Sequence, residues 1–125
     1  MLVNLRDITA IAEQNNMAIG AFNSPSLESA RAAIDTAEKL GYPVIIDHAQ
    51  GHEEITPLDV MGPVLIALAE RSTAPVCVHL DHCENLSYMR RALEMGFTGA
   101  MYDGSMEPYE VNIENSQRAA DMCAS

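Results

Sequence analysis

Four short apolar runs begin near residues 18, 43, 75 and 99, and each is followed by a segment with helical spacing. This alternation narrows the chain to α/β folds with a parallel sheet, because strands running the same way need crossover helices between them. An opening helix is expected over residues 4–15, with Leu5, Ile8 and Ile11 on one face. Ala18–Asn23 reads as the first strand, and Ser24-Pro25-Ser26 starts the next helix with capping chemistry. Gly41 ends that helix, and Pro43–His48 is a continuous apolar strand of the kind buried on both faces. Pro57 and Pro63 leave two starts open for the next helix, one near Thr56 with a kink and one at Pro63. Pro75 to Asp81 forms the third strand, Asn85 to Met95 a helix stopped by Gly96, and Gly99 to Asp103 the fourth strand. A last helix runs from Tyr109 nearly to Ser125. Two architectures fit: a small doubly wound parallel sheet, or half of an eight-fold β/α barrel, whose units take roughly 31 residues each.

In both architectures the reactive groups lie at the C-terminal ends of the strands. Those ends carry Asn23, then Asp47 and His48, then His79, Asp81 and His82, then Asp103 with Gly104 and Ser105. The run Val76-Cys-Val-His-Leu-Asp-His-Cys83 is the most informative, since it ends a buried strand in two histidines around a carboxylate. Such groups are costly to bury unless they are paired or do chemistry. Imidazole is a natural zinc ligand, and a carboxylate beside a metal is a natural proton carrier.

Charge and cysteine content exclude several other functions. The net charge of −11 argues against nucleic acid or an anionic membrane as partner. No stretch approaches a membrane span, and Met1 to Asp7 lacks the pattern of a secretory signal. Three cysteines with no CxxC pair point to a reducing, cytoplasmic setting rather than a disulfide framework. The seven basic residues all fall in expected helices or helix ends, so backbone amides or other chain must hold any substrate phosphate.

Gly20-Ala-Phe-Asn23, Pro43-Val-Ile-Ile46, Val78-His-Leu-Asp-His82 and Met101-Tyr-Asp-Gly-Ser105 together resemble the N-terminal half of the class II, metal-dependent ketose-bisphosphate aldolases. The resemblance implies strands one to four of a TIM (β/α)8 barrel over residues 1–125. It implies a zinc-dependent lyase of sugar-phosphate metabolism that cleaves a ketose bisphosphate by a retro-aldol reaction. It places Asp81 as the catalytic acid/base, His82 as the first zinc histidine, Asp103 at an acidic position that binds a second metal in some members, and Asn23 at the substrate. Zinc would polarise the carbonyl, and a carboxylic acid beside it can protonate the alkoxide of the reaction.

Three departures from the family pattern stand out. Cys83 replaces a usual glycine, so strain is expected there. Ala49–Glu54 lacks the serine that helps many members bind phosphate. The chain is about half the length of a TIM barrel, so the resemblance leaves the later zinc histidines and glycine-rich phosphate loops outside it; His79, His48 and His52 are the only local substitutes. The expected reading is therefore part of a zinc aldolase. Its rivals are a non-catalytic half-barrel that acts only through assembly and an acidic α/β binding module. Open edges at the first and fourth strands favour a homo-oligomer, with Ile19, Ile45, Val78 and Met101 expected on the exposed inner face.

Overall fold

The computed structural model describes residues 1–124, and Ser125 lies outside them. The elements run α1 (Leu5–Gln14), β1 (Ala21–Asn23), α2 (Leu27–Leu40), β2 (Val44–Ala49), a 3-10 turn (Gln50–His52), α3 (Leu58–Arg71), β3 (Val76–Cys83), α4 (Leu86–Met95), β4 (Gly99–Tyr102) and α5 (Tyr109–Ala124). The four strands are parallel and lie in chain order, β1-β2-β3-β4. Consecutive order with a helix after each strand is the start of a barrel winding; a doubly wound sheet would reverse direction.

Local chemistry explains the boundaries. The Asn4 and Ser26 side chains accept the Asp7 and Ser29 amides and so cap α1 and α2. Asn85 caps α4 by accepting from Ser87 and Tyr88. Gly41 (φ 68°) and Gly96 (φ 112°) end α2 and α4 in the left-handed conformation that glycine adopts without penalty. α3 begins at Leu58 and passes through Pro63. Pro57 offers no side-chain cap, and the Glu53 carboxylate takes the Leu58 amide at 2.9 Å instead.

The core lies on the outer, helix-covered face of the sheet. Val44 and Ile46 of β2 and Val76, Val78 and Leu80 of β3 pack there against Ala30 and Ile34 of α2, Leu58 and Leu65 of α3, and Met89 of α4. Val78 is fully buried in this layer, which corrects its expected place on the exposed inner face. Its run, Val76-Cys77-Val78, is apolar at every position, so the sequence carries no face signal there. Ile45 and Met101 sit on the opposite face with Cys77, by register and alternation. α1 closes the N-terminal end of this inner face: Leu5 donates its amide to Thr98, and Ile8 is fully buried. Among the described residues no helix is long and apolar enough to cross a membrane.

Candidate active site

A one-residue irregularity shapes the C-terminal end of the sheet. β3 and β4 pair Leu80 with Ala100 and Cys83 with Tyr102, so Asp81 and His82 together face the single residue Met101. The extra residue is a bulge, a device found often beside active sites. His82 absorbs it with φ 46°, in the left-handed region that non-glycine residues seldom occupy. The strain expected at Cys83 therefore falls one residue earlier. Cys83 itself returns to the outer face, fully buried, with Sγ 3.4 Å from Gln50 Oε1 and 3.2 Å from the Asn85 carbonyl.

The bulge turns His82 toward β4. Its Nδ1 lies 2.7 Å from Asp103 Oδ2, and its Nε2 lies 3.9 Å from Asp81 Oδ2, too long for a hydrogen bond. Asp103 also accepts the Ser105 amide at 3.0 Å. The bond to His82, helped by Ser105, lowers the Asp103 carboxyl to about 2. The same bond, followed by the charge of Asp81, raises His82. An ionised carboxylate only accepts, so Nδ1 carries the proton and the neutral ring keeps its lone pair on Nε2. Carboxylates orient metal-binding histidines in this way.

Asp81 lies on the inner face beside Ala49, with its side chain 23% exposed. Asn23 ends β1, exposed, with Asp47 as its neighbour in register. The strand ends thus bring Asp81, His82 and Asp103 into one cluster, with Asn23 two strands away on the same face. His48 and His52 do not join it. His48 is fully buried on the outer face, where its Nε2 meets the Tyr88 hydroxyl at 3.2 Å. His52 accepts the Ala49 amide at Nδ1 and meets the His48 ring edge-on at 5.5 Å. Among the described residues no three His, Cys, Asp or Glu side chains can hold a metal by themselves. The local donors therefore fit one histidine of a metal centre, with its orienting carboxylate.

Sequence reasoning missed the residues that fix the loops behind this cluster. Gln50 Oε1 accepts the Glu84 and Asn85 amides at 3.0 and 3.1 Å and ties the loop after β2 to the loop after β3. Tyr88 donates to Glu53 Oε2 at 2.7 Å. These partners lie more than thirty residues apart and leave no periodic trace. All seven lysines and arginines fall within helices, as the sequence indicated.

Comparison with known proteins places the chain in a family. Residues 3–125 match the family model for class-II fructose-bisphosphate aldolase. The chain is 32% identical to the fructose-bisphosphate aldolase of Thermus caldophilus, over 97% of this chain and 39% of that protein. It is 34% identical to the 6-phospho-5-dehydro-2-deoxy-D-gluconate aldolase of Halalkalibacterium halodurans, over 90% of this chain and 40% of that one. Its fold superimposes on the crystal structure of the YdjI aldolase from Escherichia coli K12 with a TM-score of 0.90 and 30% identity, covering 97% of this chain and 47% of the other. The chain thus spans less than half the length of these relatives. The structural neighbours have a TIM-barrel-type fold, and the four strands and five helices here correspond to part of it. The chain belongs to the class-II fructose-bisphosphate aldolase family.

Proposed function

We propose that this chain forms the β1–β4 part of a zinc-dependent aldolase that cleaves a phosphorylated ketose, of the ketose 1,6-bisphosphate type, to dihydroxyacetone phosphate and an aldehyde such as glyceraldehyde 3-phosphate. The observation that carries the reading is the bulge at Asp81–His82, which presents both residues and Asp103 at one end of the sheet. His82 holds the metal through Nε2, with further ligands from outside residues 1–125. Bound zinc supplies Lewis-acid polarisation of the substrate carbonyl. Asp103 holds the His82 ring in place; a second metal there would have to compete with the Nδ1 bond. Asp81 is the acid/base. In cleavage it takes the proton from the hydroxyl on the carbon that becomes the aldehyde, and in condensation it returns that proton to the alkoxide. Asn23 binds a substrate oxygen from the neighbouring strand end. Residues 1–125 taken alone leave the β1 and β4 edges unpaired, and that piece is expected to associate and to bind zinc weakly.

The test is a cleavage assay of the intact protein against phosphorylated ketoses, with metal content measured in parallel. Asp81→Ala should lower turnover by about 10²–10⁴-fold and keep the metal, whereas His82→Ala should lose both. Robust zinc-dependent cleavage that survives Asp81→Ala would overturn the assignment.

A further inference from the structure

One row of residues crosses all four strands on the inner face. By register Asn23 stands beside Asp47, Asp47 beside His79, and His79 beside Gly99. Two of the four form a tight pair: His79 Nδ1 lies 3.0 Å from Asp47 Oδ1, and the side chains are only 13% and 7% exposed. An ionised carboxylate only accepts, so the proton between them sits on Nδ1. The opposite edge of the ring rests against Gly99, where an added Cβ would lie 2.9 Å from His79 Cδ2. The ring is therefore held from both sides, by Asp47 on β2 and by the gap at Gly99 on β4. With Nδ1 turned to β2 and Cδ2 to β4, Nε2 is directed away from β3 into the barrel interior. It has no hydrogen-bond partner among the described residues, and it is not one of their fully buried orphaned atoms. Asp81 lies two residues further along the same face, about 6.6 Å higher.

A histidine that merely fills space gains nothing from a carboxylate held out of water, whose burial is costly. We propose that His79 contacts the substrate, accepting a hydrogen bond at Nε2 from a sugar hydroxyl below the Asp81 level, and that Asp47 is the positioning residue that fixes its tautomer. The proposal rests on the aldolase reading for the identity of the ligand, but the state of the ring does not depend on it.

The test uses the intact protein with ¹⁵N-labelled histidine rings, His79 being assigned by its loss in His79→Gln. Nuclear magnetic resonance should show the proton on Nδ1 and a bare Nε2. The Nε2 resonance should shift when the phosphorylated ketose that the enzyme cleaves fastest is bound to the Asp81→Ala variant. Asp47→Asn, whose amide can donate to Nδ1, should move the proton to Nε2. It should raise KM roughly tenfold with kcat held within about threefold and zinc content unchanged. His79→Gln, which keeps an acceptor, should retain more activity than His79→Leu. A proton on Nε2 or on both nitrogens of the wild-type ring, an Nε2 resonance indifferent to substrate, or a fully active His79→Leu would each overturn the proposal. If Asp47→Asn does not fold, the wild-type ring and the two His79 variants still decide. If no phosphorylated ketose is cleaved, the aldolase reading fails and the substrate contact fails with it, while the ring shifts separately report whether Asp47 sets the tautomer.

Discussion

Removing one oxygen from Tyr88 should cost about 2 kcal/mol, and the structure shows where that figure arises. The hydroxyl donates to Glu53 Oε2 at 2.7 Å and lies 3.2 Å from His48 Nε2. Having given its only proton to Glu53, it accepts from His48, so Nε2 carries the imidazole proton and Nδ1 is bare. This matches the one orphaned buried side-chain atom among the described residues, His48 Nδ1. An unsatisfied acceptor is easier to tolerate there than an unsatisfied N–H. Tyr88→Phe keeps the ring packing but leaves that N–H, on a fully buried histidine, without an acceptor. Stranding such a donor costs about 1–3 kcal/mol. Glu53 is half-buried and keeps the Leu58 amide, so water replaces its lost donor cheaply. In urea the midpoint should fall by about 1–2 M at unchanged slope, taking a slope of roughly 1–2 kcal/mol/M. Replacing both partners, as His48→Leu with Tyr88→Phe, should recover most of the loss, because no polar group is then stranded. A Tyr88→Phe midpoint within error of wild type, or a double variant as unstable as the sum of the singles, would refute the reasoning.

The same histidine sets a pH dependence. Burial, and then the neighbouring His52, lower His48 below its ordinary 6.5, so the unfolded chain binds the extra proton. Stability should be complete above pH 6.5 and fall as the pH drops through His48's lowered value, a slope that His48→Leu removes in acid titrations followed by circular dichroism. Gly99→Ala should destabilise by about 1–3 kcal/mol in the same urea assay, since the new methyl would crowd His79 Cδ2 at 2.9 Å and both Cys77 Sγ and Leu5 Cβ at 3.2 Å. His82→Gly should hold or raise the thermal midpoint by relieving the left-handed backbone, while the intact protein loses zinc by atomic absorption. Asp103→Asn should remove a charge attraction that is complete above pH 3.8, is lost as pH falls through about 2, and is lost again as pH rises through His82's raised value, where the neutral ring keeps only its Nδ1–H bond to Asp103; ring resonances of His82 across that range would show it.

Punctuation and periodicity made most of the fold legible. Gly41 and Gly96 end helices in the conformation that their residue type allows, and Ser26 and Asn85 cap the helices they precede. The side-chain facing of the strands was not legible. In Val44-Ile45-Ile46 and Val76-Cys77-Val78 every residue is apolar, so neither face is marked, and Val78 turned out to belong to the helix layer. The strand-end chemistry at Asp81, His82 and Asp103 could be read as a set because those residue types are rare at such positions. The distinct fates of His48 and His79 could not. His48 follows Asp47 by one residue, yet the pleat sends Asp47 inward to His79 and His48 outward to Tyr88. Only register distinguishes them, and register depends on strands thirty residues apart.

The bulge resolves a conflict between strand geometry and site chemistry. Adjacent strand residues point to opposite faces, so a regular β3 could present Asp81 or His82 at the inner end, but not both. Leu80 and Cys83 both pack in the outer layer, three residues apart rather than two, and the additional step lies between them. The left-handed turn at His82 absorbs that step and releases the imidazole toward Asp103. Strain of this kind persists only where the surroundings over-determine it. Here β4 supplies the Asp103 bond ahead of the turn, and Gln50 grips Cys83, Glu84 and Asn85 behind it. A glycine at residue 82 would make the turn freely and leave nothing to coordinate. A histidine there is tolerable because the two neighbouring loops hold it, which makes Gln50 as much a part of the site's architecture as the carboxylates it never touches.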